Sequence, residues 1–460
     1  MNRKFERIAF SPADILLPKG IDLTKWAVIA CDQFSSEPEY WEAVEKTVGD
    51  APSTLRLILP EAKLNSPDVD RHIADINAAM ERYLKDGLFE TLENALIYVE
   101  RVQSDGKVRA GLVGKIDLEQ YNFTPGSGSL VRATEGTVLS RIPPRVKVRE
   151  DAPIEVPHVM LLMDDPEDTV LGPLNGAMDR EPLYSFSLQQ GGGSIRGWKL
   201  SDEQADMVAD ALAALCTPSE MARKYGITNE NGDAISPLLF AVGDGNHSLA
   251  SAKQCYENLK KVTPPETWSD LPARYALVEI VNNHSPALEF EPIHRVLSGI
   301  NPADFLAAFR EAYPNAEERQ AQYGAAEENT GGEMETGHTI EFIWQGYDRF
   351  WTVPDPTAQL AVGTLQSVID RYLEAHGGKT GISAETGVSA EKRVQVDYIH
   401  GTETARKLGS RPGCMAFLLP AMEKNQLFKT VMADGVLPRK TFSMGQARDK
   451  RYYLEARKIR

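Results

Sequence analysis

The sequence predicts an α+β protein, built from mixed sheets with flanking helices. Three observations lead there. Short apolar runs of strand length recur along the chain. Amphipathic stretches of helical period lie between them at irregular intervals. Ser104-Asp105-Gly106-Lys107, flanked by Ile97-Tyr98-Val99 and Leu112-Val113-Gly114, signals a hairpin, which a regular doubly wound parallel sheet does not use.

In chain order, Trp26 to Ala30 reads as a strand and Pro38 to Val48 as a helix. Asp68 to Lys85 is an amphipathic helix through Ile73, Ile76, Met80 and Leu84. Val159 to Met163 is another short apolar run. Ser201 to Cys216 is a helix opened by a capping box of Ser201 and Gln204, with Met207, Val208, Ala211, Leu212 and Leu215 as its apolar face. Leu238 to Val242 has the length of a buried strand, and Leu249, Ala252, Tyr256 and Leu259 resume at helical spacing. Tyr275 to Val281 is a further strand. Gly324 to Gly337, rich in Gly, Glu and Thr, reads as an exposed loop or hairpin tip. Strands at Ile340 to Trp344 and Arg349 to Val353 follow, then a helix over Leu360 to His376 and strands at Val394 to Ile399, Ala416 to Leu419 and Tyr452 to Leu454. The expected organisation is an N-terminal α/β part over 1–125, a central part over 126–300 and a C-terminal α/β part over 301–460, the alternative being one intertwined unit.

The 460 residues are 42% hydrophobic and 25% charged, enough apolar material for sizeable cores. A net charge of -16 argues against nucleic acid as the partner, because such binding needs a dominant basic face. It leaves room for a phosphate site, since charges beyond a Debye length of about 8 Å are largely screened. Cys31, Cys216, Cys255 and Cys414 are scattered without a C-x-x-C pair, so neither zinc nor a disulfide framework is indicated. No apolar run approaches the roughly 18–20 residues of a membrane span, and the start of the chain lacks a signal-peptide core. The expected location is the cytoplasm, the expected partners are a small-molecule substrate and a nucleotide, and a homodimer is left open.

The most informative segment is Gly243-Asp244-Gly245-Asn246-His247-Ser248, on the bend between a buried strand and a helix. A helix N-terminus presents unpaired N–H groups and partial positive charge, which suits phosphate. Gly245, Asn246 and Ser248 would line that cradle, Asp244 would hold a metal or take a proton, and His247 would donate to a phosphoryl oxygen. The plainer alternative is a turn capped by Asp244 or Ser248. A second candidate is Ser129 to Arg149, whose Arg132, Arg141 and Arg145 match phosphate oxygens and whose Glu135 would be a base or magnesium ligand. Pro143-Pro144 makes this stretch a poor helix and a plausible loop over a site; the alternative is a solvated basic face. The third is Gly191-Gly192-Gly193, where bare backbone lets a ligand approach and Arg196 would meet a phosphate, against a simple flexible loop. His294 and Arg295, with Asn282-Asn283-His284, are second-tier candidates for the same cleft. Cys31 has no visible partner and reads as an incidental or buried thiol.

Taken together, Trp26 to Gln33, Arg132-Ala133-Thr134-Glu135-Gly136-Thr137, Val242 to His247, Pro292-Ile293-His294-Arg295, Asp397 to Gly401 and Leu437 to Thr441 resemble the bacterial and archaeal family catalogued as domain of unknown function 1015. Many members carry Asp-Gly-His-His-Arg-Tyr at the central motif; here Asn246 replaces the first His and Ser248 the Arg, which marks a divergent branch. The Asp-Gly-x-His turn is also similar to the strand–turn–helix core of the ParB and sulfiredoxin superfamily. That likeness implies nucleotide-phosphate binding, and the superfamily includes kinases acting on free serine. Family members tend to be encoded beside serine-biosynthesis enzymes. The expectation is a phosphotransferase of the kinase type, dependent on Mg²⁺ and on ATP or ADP, with serine or phosphoserine as substrate. The alternatives are a nucleotide-sensing regulatory module without activity, and a phosphoserine phosphatase.

Overall fold

The computed structural model describes residues 3–35, 37–64, 66–176, 178, 180–226, 236–320, 337–376 and 394–460. The loop expected at 324–337 lies outside them except for Gly337. The chain forms two compact units, Met1–Glu289 with Gly445–Arg460, and Phe290–Met444. The three-part division drawn from the sequence stands as a proposal that limited proteolysis would test.

The first unit is organised on a ten-stranded mixed sheet. Its strands are β1 (Phe10–Ser11), β2 (Ile97–Val102), β3 (Val108–Asp117), β4 (Tyr121–Asn122), β5 (Val131–Ala133), β6 (Met160–Met163), β7 (Tyr184–Ser187), β8 (Ser194–Lys199), β9 (Phe240–Asp244) and β10 (Tyr275–Asn282). The spatial order is β7-β8-β2-β3-β10-β6-β9-β5-β4, with β1 on β3. β2 and β3 form the hairpin that the Asp105-Gly106 turn announces. β6 runs parallel to β10 and antiparallel to β9, while β9 and β5 are parallel. The α+β expectation holds.

Period-2 alternation gives the sheet two apolar faces. Tyr98, Leu112, Leu161, Val242 and Val278 pack on one face, with Val208 and Leu212 of α3 (Asp202–Leu215) and Leu249 and Tyr256 of α4 (Asn246–Lys260). Ile97, Val99, Val113 and Leu277 pack on the other, against Trp26, Leu454 and the Ile73, Ile76 and Met80 stripe of α1 (Val69–Lys85). The Ser201–Gln204 capping box opens α3 as its spacing requires.

One local expectation is overturned. Ile142–Arg149 is a helix, α2, rather than a loop. Pro143 and Pro144 occupy its first turn, where the missing N–H groups would have had no intrahelical acceptor.

The second unit is a seven-stranded antiparallel sheet. Its order is Glu317–Gln320, Tyr347–Val353, His338–Trp344, Cys414–Leu418, Phe290–Ser298 and Gln395–His400, with Phe442–Met444 also on Phe290–Ser298. Phe305, Phe309, Phe342, Trp351 and Phe417 interlock in its core. Glu341, on the central strand, is buried beside Asp348 and Arg406. Burial, helped by the Asp348 carboxylate and opposed by Arg406, pushes its carboxyl up to about 7. The unfolded chain releases that proton near 4.3. Between these values the folded chain binds more protons than the unfolded one, so stability falls as pH rises. Corrected for the intrinsic pH dependence of exchange, amide protection within this unit is expected to fall from pH 5 to 7.5, and Glu341→Gln to flatten that fall; equal slopes would refute the assignment.

Candidate functional site

β9 carries Asp244 to the edge of the sheet, and Gly245 turns the chain into α4 with φ of +80°. A side chain there would be strained by that φ and would press on Val159 at about 3.1 Å. Gly245 is thus required by two independent constraints. It is also the N-cap, displacing Asp244 and Ser248 from that role, and no side chain caps the helix. In the same unit, α3 is capped by Ser201 and Pro218–Tyr225 by Thr217.

The Asp244 carboxylate is bound from two sides. Oδ1 accepts the Gly245 N–H at 2.9 Å, and Oδ2 lies 3.4 Å from Lys450 Nζ. Burial opposes ionisation here, but Lys450 and His158, with the Gly245 amide, outweigh it and hold the carboxyl below its ordinary value. Oδ2 is buried and accepts no hydrogen bond among the described residues, and the same is true of Asn246 Oδ1. The Asn246 amide reaches Thr134 Oγ1 at 3.4 Å, and Thr134 donates to Val242 O at 2.6 Å. His247 Nε2 accepts the Val138 N–H at 3.4 Å.

Glu135 follows β5, whose register pairs Ala133 with Val242 on the parallel neighbour β9. The strand ends at Ala133 and the chain bends at Thr134, so Glu135 lies just beyond this pairing.

His158 joins them because β6 is antiparallel to β9 and begins where β9 ends, Met160 opposite Asp244. Its ring contacts Ser248 Oγ through Nε2 at 3.4 Å and the Tyr453 hydroxyl through Nδ1 at 2.7 Å. The Cys31 N–H donates to that hydroxyl at 3.2 Å, so Tyr453 bridges Cys31 and His158. Burial pushes the Cys31 thiol up to about 12, so it carries no thiolate at neutral pH.

The expected arginines are placed differently. Arg132 is buried and donates to the carbonyls of Ser129, Ser236 and Pro237, pinning the start of β9 instead of facing the bend. Arg145 pairs with Glu61 at 2.7 Å and donates to Arg141 O, while Arg141 is exposed at the start of α2. Arg196 lies on β8, five strand steps from β9, which is roughly 24 Å at 4.8 Å per step. There it pairs with Glu100 at 2.6 Å and covers Trp198. The triple glycine serves the protein itself: Arg101 donates twice to Gly192 O, and a side chain at Gly192 would collide with the Tyr452 hydroxyl.

His284 stands at the opposite sheet edge. β6 and β10 end together, Met163 beside Asn282, and His284 bonds Asp164 there at 2.6 Å. His294 and Arg295 belong to the second unit. Arg295 is fully buried and donates to the carbonyls of Ile293, Arg439 and Lys440, and His294 Nδ1 accepts the Leu419 N–H. Burial and the adjacent Arg295 push His294 down, so it is neutral at pH 7.

The family model described as "Protein of unknown function (DUF1015)" matches residues 16–372. The chain belongs to the DUF1015 family. This DUF1015 protein has no significant match among curated proteins. Solved structures similar to it include a mutant free serine kinase in complex with AMP, with a TM-score of 0.37, 12% identity, and coverage of 77% of this chain and 93% of that one. A conserved hypothetical protein from Pyrococcus furiosus gives 0.33, 12%, 74% and 91% in the same order. C-terminally truncated SbnI from Staphylococcus aureus gives 0.33, 8%, 72% and 82%. Among the described residues, no group of three or more His, Cys, Asp or Glu side chains is placed to hold a metal ion, and no helix is long and apolar enough to cross a membrane.

Lys450, His158 and Tyr453 were not singled out from the sequence. Lys450 is 206 positions from Asp244, and only the density of charge in Arg448-Asp449-Lys450-Arg451 hinted that the segment matters.

Proposed function

We propose that this DUF1015 protein is a nucleotide-dependent phosphotransferase on a small hydroxyl or phosphate metabolite, with serine and phosphoserine the first substrates to test. The observation that carries the reading is the bend at Asp244–Ser248. An uncapped helix start lies beside a carboxylate that stays ionised and a lysine within ion-pair distance. Phosphoryl transfer asks chiefly for positioning and charge neutralisation, and this edge offers both.

Mg²⁺ fits the oxygen chemistry of the bend. Such an ion is commonly held by one or two protein oxygens, with water and substrate phosphate completing its shell. Asp244 Oδ2 and Asn246 Oδ1 are buried oxygens that accept no hydrogen bond among the described residues, and Glu135 is the second carboxylate we assign to the ion. When bound, the ion would draw charge from the phosphate oxygens. The protein's own part is to receive phosphate on the amides of Asn246, His247 and Ser248. Asp244 or Glu135 takes the proton from the attacking hydroxyl, His247 meets the transferred group, and Arg141 supplies a peripheral cation.

The test is ³¹P NMR with Mg²⁺, run in parallel on serine with ATP or ADP and on phosphoserine with AMP, ADP or no nucleotide. The expected result is a phosphoserine signal gained or lost only with nucleotide. Phosphate released without nucleotide would make the protein a phosphatase. Nucleotide binding with unchanged spectra would refute turnover of these substrates.

A further inference from the structure

Arginines were expected to neutralise phosphate at this site, and the structure spends Arg132, Arg145 and Arg196 elsewhere. We infer that Lys450 is the phosphate-binding cation, presented to the α4 N-terminus by the Gly445–Arg460 segment and held by Asp244 until an anionic ligand arrives. The inference rests on the phosphotransferase reading and deepens it. Lys450 lies beyond the 16–372 stretch matched by the family model.

The backbone around Lys450 is fixed on both sides. Asp449 accepts from the Ser104 N–H at 2.8 Å and the Ser104 hydroxyl at 2.9 Å. Arg101 donates to Lys450 O at 2.9 Å, and the Ala30 N–H donates to Arg451 O at 3.0 Å. Arg451 is locked by Glu279 at 2.8 Å and Glu455 at 2.7 Å. Two residues after Arg451, Tyr453 meets His158, which reaches Ser248 in the first turn of α4. One segment thereby places the ammonium and orients the imidazole beside the bend. The Lys450 side chain is mostly buried and retains 14% of its exposure. At 3.4 Å the Lys450–Asp244 contact is longer than the about 2.7–2.9 Å of a strong charge-assisted hydrogen bond, so a phosphoryl oxygen can replace it.

The experiment is calorimetric titration of the full chain with ADP at two salt concentrations, with and without Mg²⁺. Lys450→Met is expected to weaken ADP binding about 10- to 100-fold, the value of one charge-assisted hydrogen bond, and to flatten its salt dependence. Lys450→Arg keeps the charge and should stay within a few-fold of wild type. Asp244→Asn releases the ammonium, so metal-free ADP should bind several-fold more tightly, and adding Lys450→Met should abolish that gain. Wild-type affinity and salt slope in Lys450→Met, or a gain in Asp244→Asn that survives Lys450→Met, would overturn the inference while leaving the phosphotransferase reading intact. Absence of ADP and ATP binding by the wild-type protein would instead overturn that reading, and this inference with it.

Discussion

Replacing Arg451 with methionine is expected to destabilise the first unit by about 3–5 kcal/mol, the cost of leaving buried charge unpaired. Its guanidinium is 4% exposed and serves Glu279, Glu455 and Pro157 O together. After its loss, Glu279 retains Arg109 at 3.7 Å, and Glu455 retains the Tyr184 hydroxyl at 2.6 Å. Neither remaining contact matches what is removed. Against a total of about 5–15 kcal/mol, the loss is large. Hydrogen exchange of the β3 and β10 amides reports this unit alone and should accelerate accordingly. Glu279 is normally held below its ordinary pKa: burial resists ionisation, and Arg109 and Arg451 overcome it. In the variant its carboxyl rises, so the variant should regain stability on mild acidification, where the wild type gains nothing from this group. Adding Glu455→Gln should recover part of the loss. A destabilisation under about 1 kcal/mol would show that the cluster is solvated and of little consequence.

Asp244→Asn is expected to lower nucleotide-dependent turnover by about 10²–10³-fold, the usual result of removing one positioned electrostatic group. An asparagine can still accept the Gly245 N–H, so the bend should persist and thermal unfolding should move little. Adding Glu135→Gln removes the second carboxylate proposed for the chemistry and should extinguish what remains. Wild-type turnover in the double variant would exclude both residues from the chemistry.

What the sequence made legible was local. The capping box at Ser201, the Asp105-Gly106 hairpin, the α1 stripe and the strand–turn–helix at Asp244 each depend on residues within a few positions of one another. The site's other half was not legible, because Lys450, His158 and Tyr453 reach the bend only through strand pairing and the return of the C-terminal segment. Two signals were ambiguous for the same reason. Pro143-Pro144 forbids a helix interior but suits a first turn, and position within the helix is unknown until the helix is. Gly191 to Gly193 signals close approach to the backbone, and arginine and tyrosine side chains of the protein satisfy that as well as a ligand would. Arg132 and Arg196 illustrate the same point for charge: a guanidinium suited to phosphate is equally suited to backbone carbonyls or a neighbouring carboxylate.

The first unit is interrupted by the whole of Phe290–Met444 before Gly445–Arg460 completes it. On a ribosome elongating at about 5–20 residues per second, the sheet and α4 emerge roughly 10–30 s before Lys450, Arg451 and Tyr453 are made. Through that interval Glu279 has Arg109 but not Arg451, and His158 lacks its contact with the Tyr453 hydroxyl. The contacts around the Asp244 turn are therefore completed late in synthesis, and a stalled nascent chain would carry that turn without Lys450 beside it.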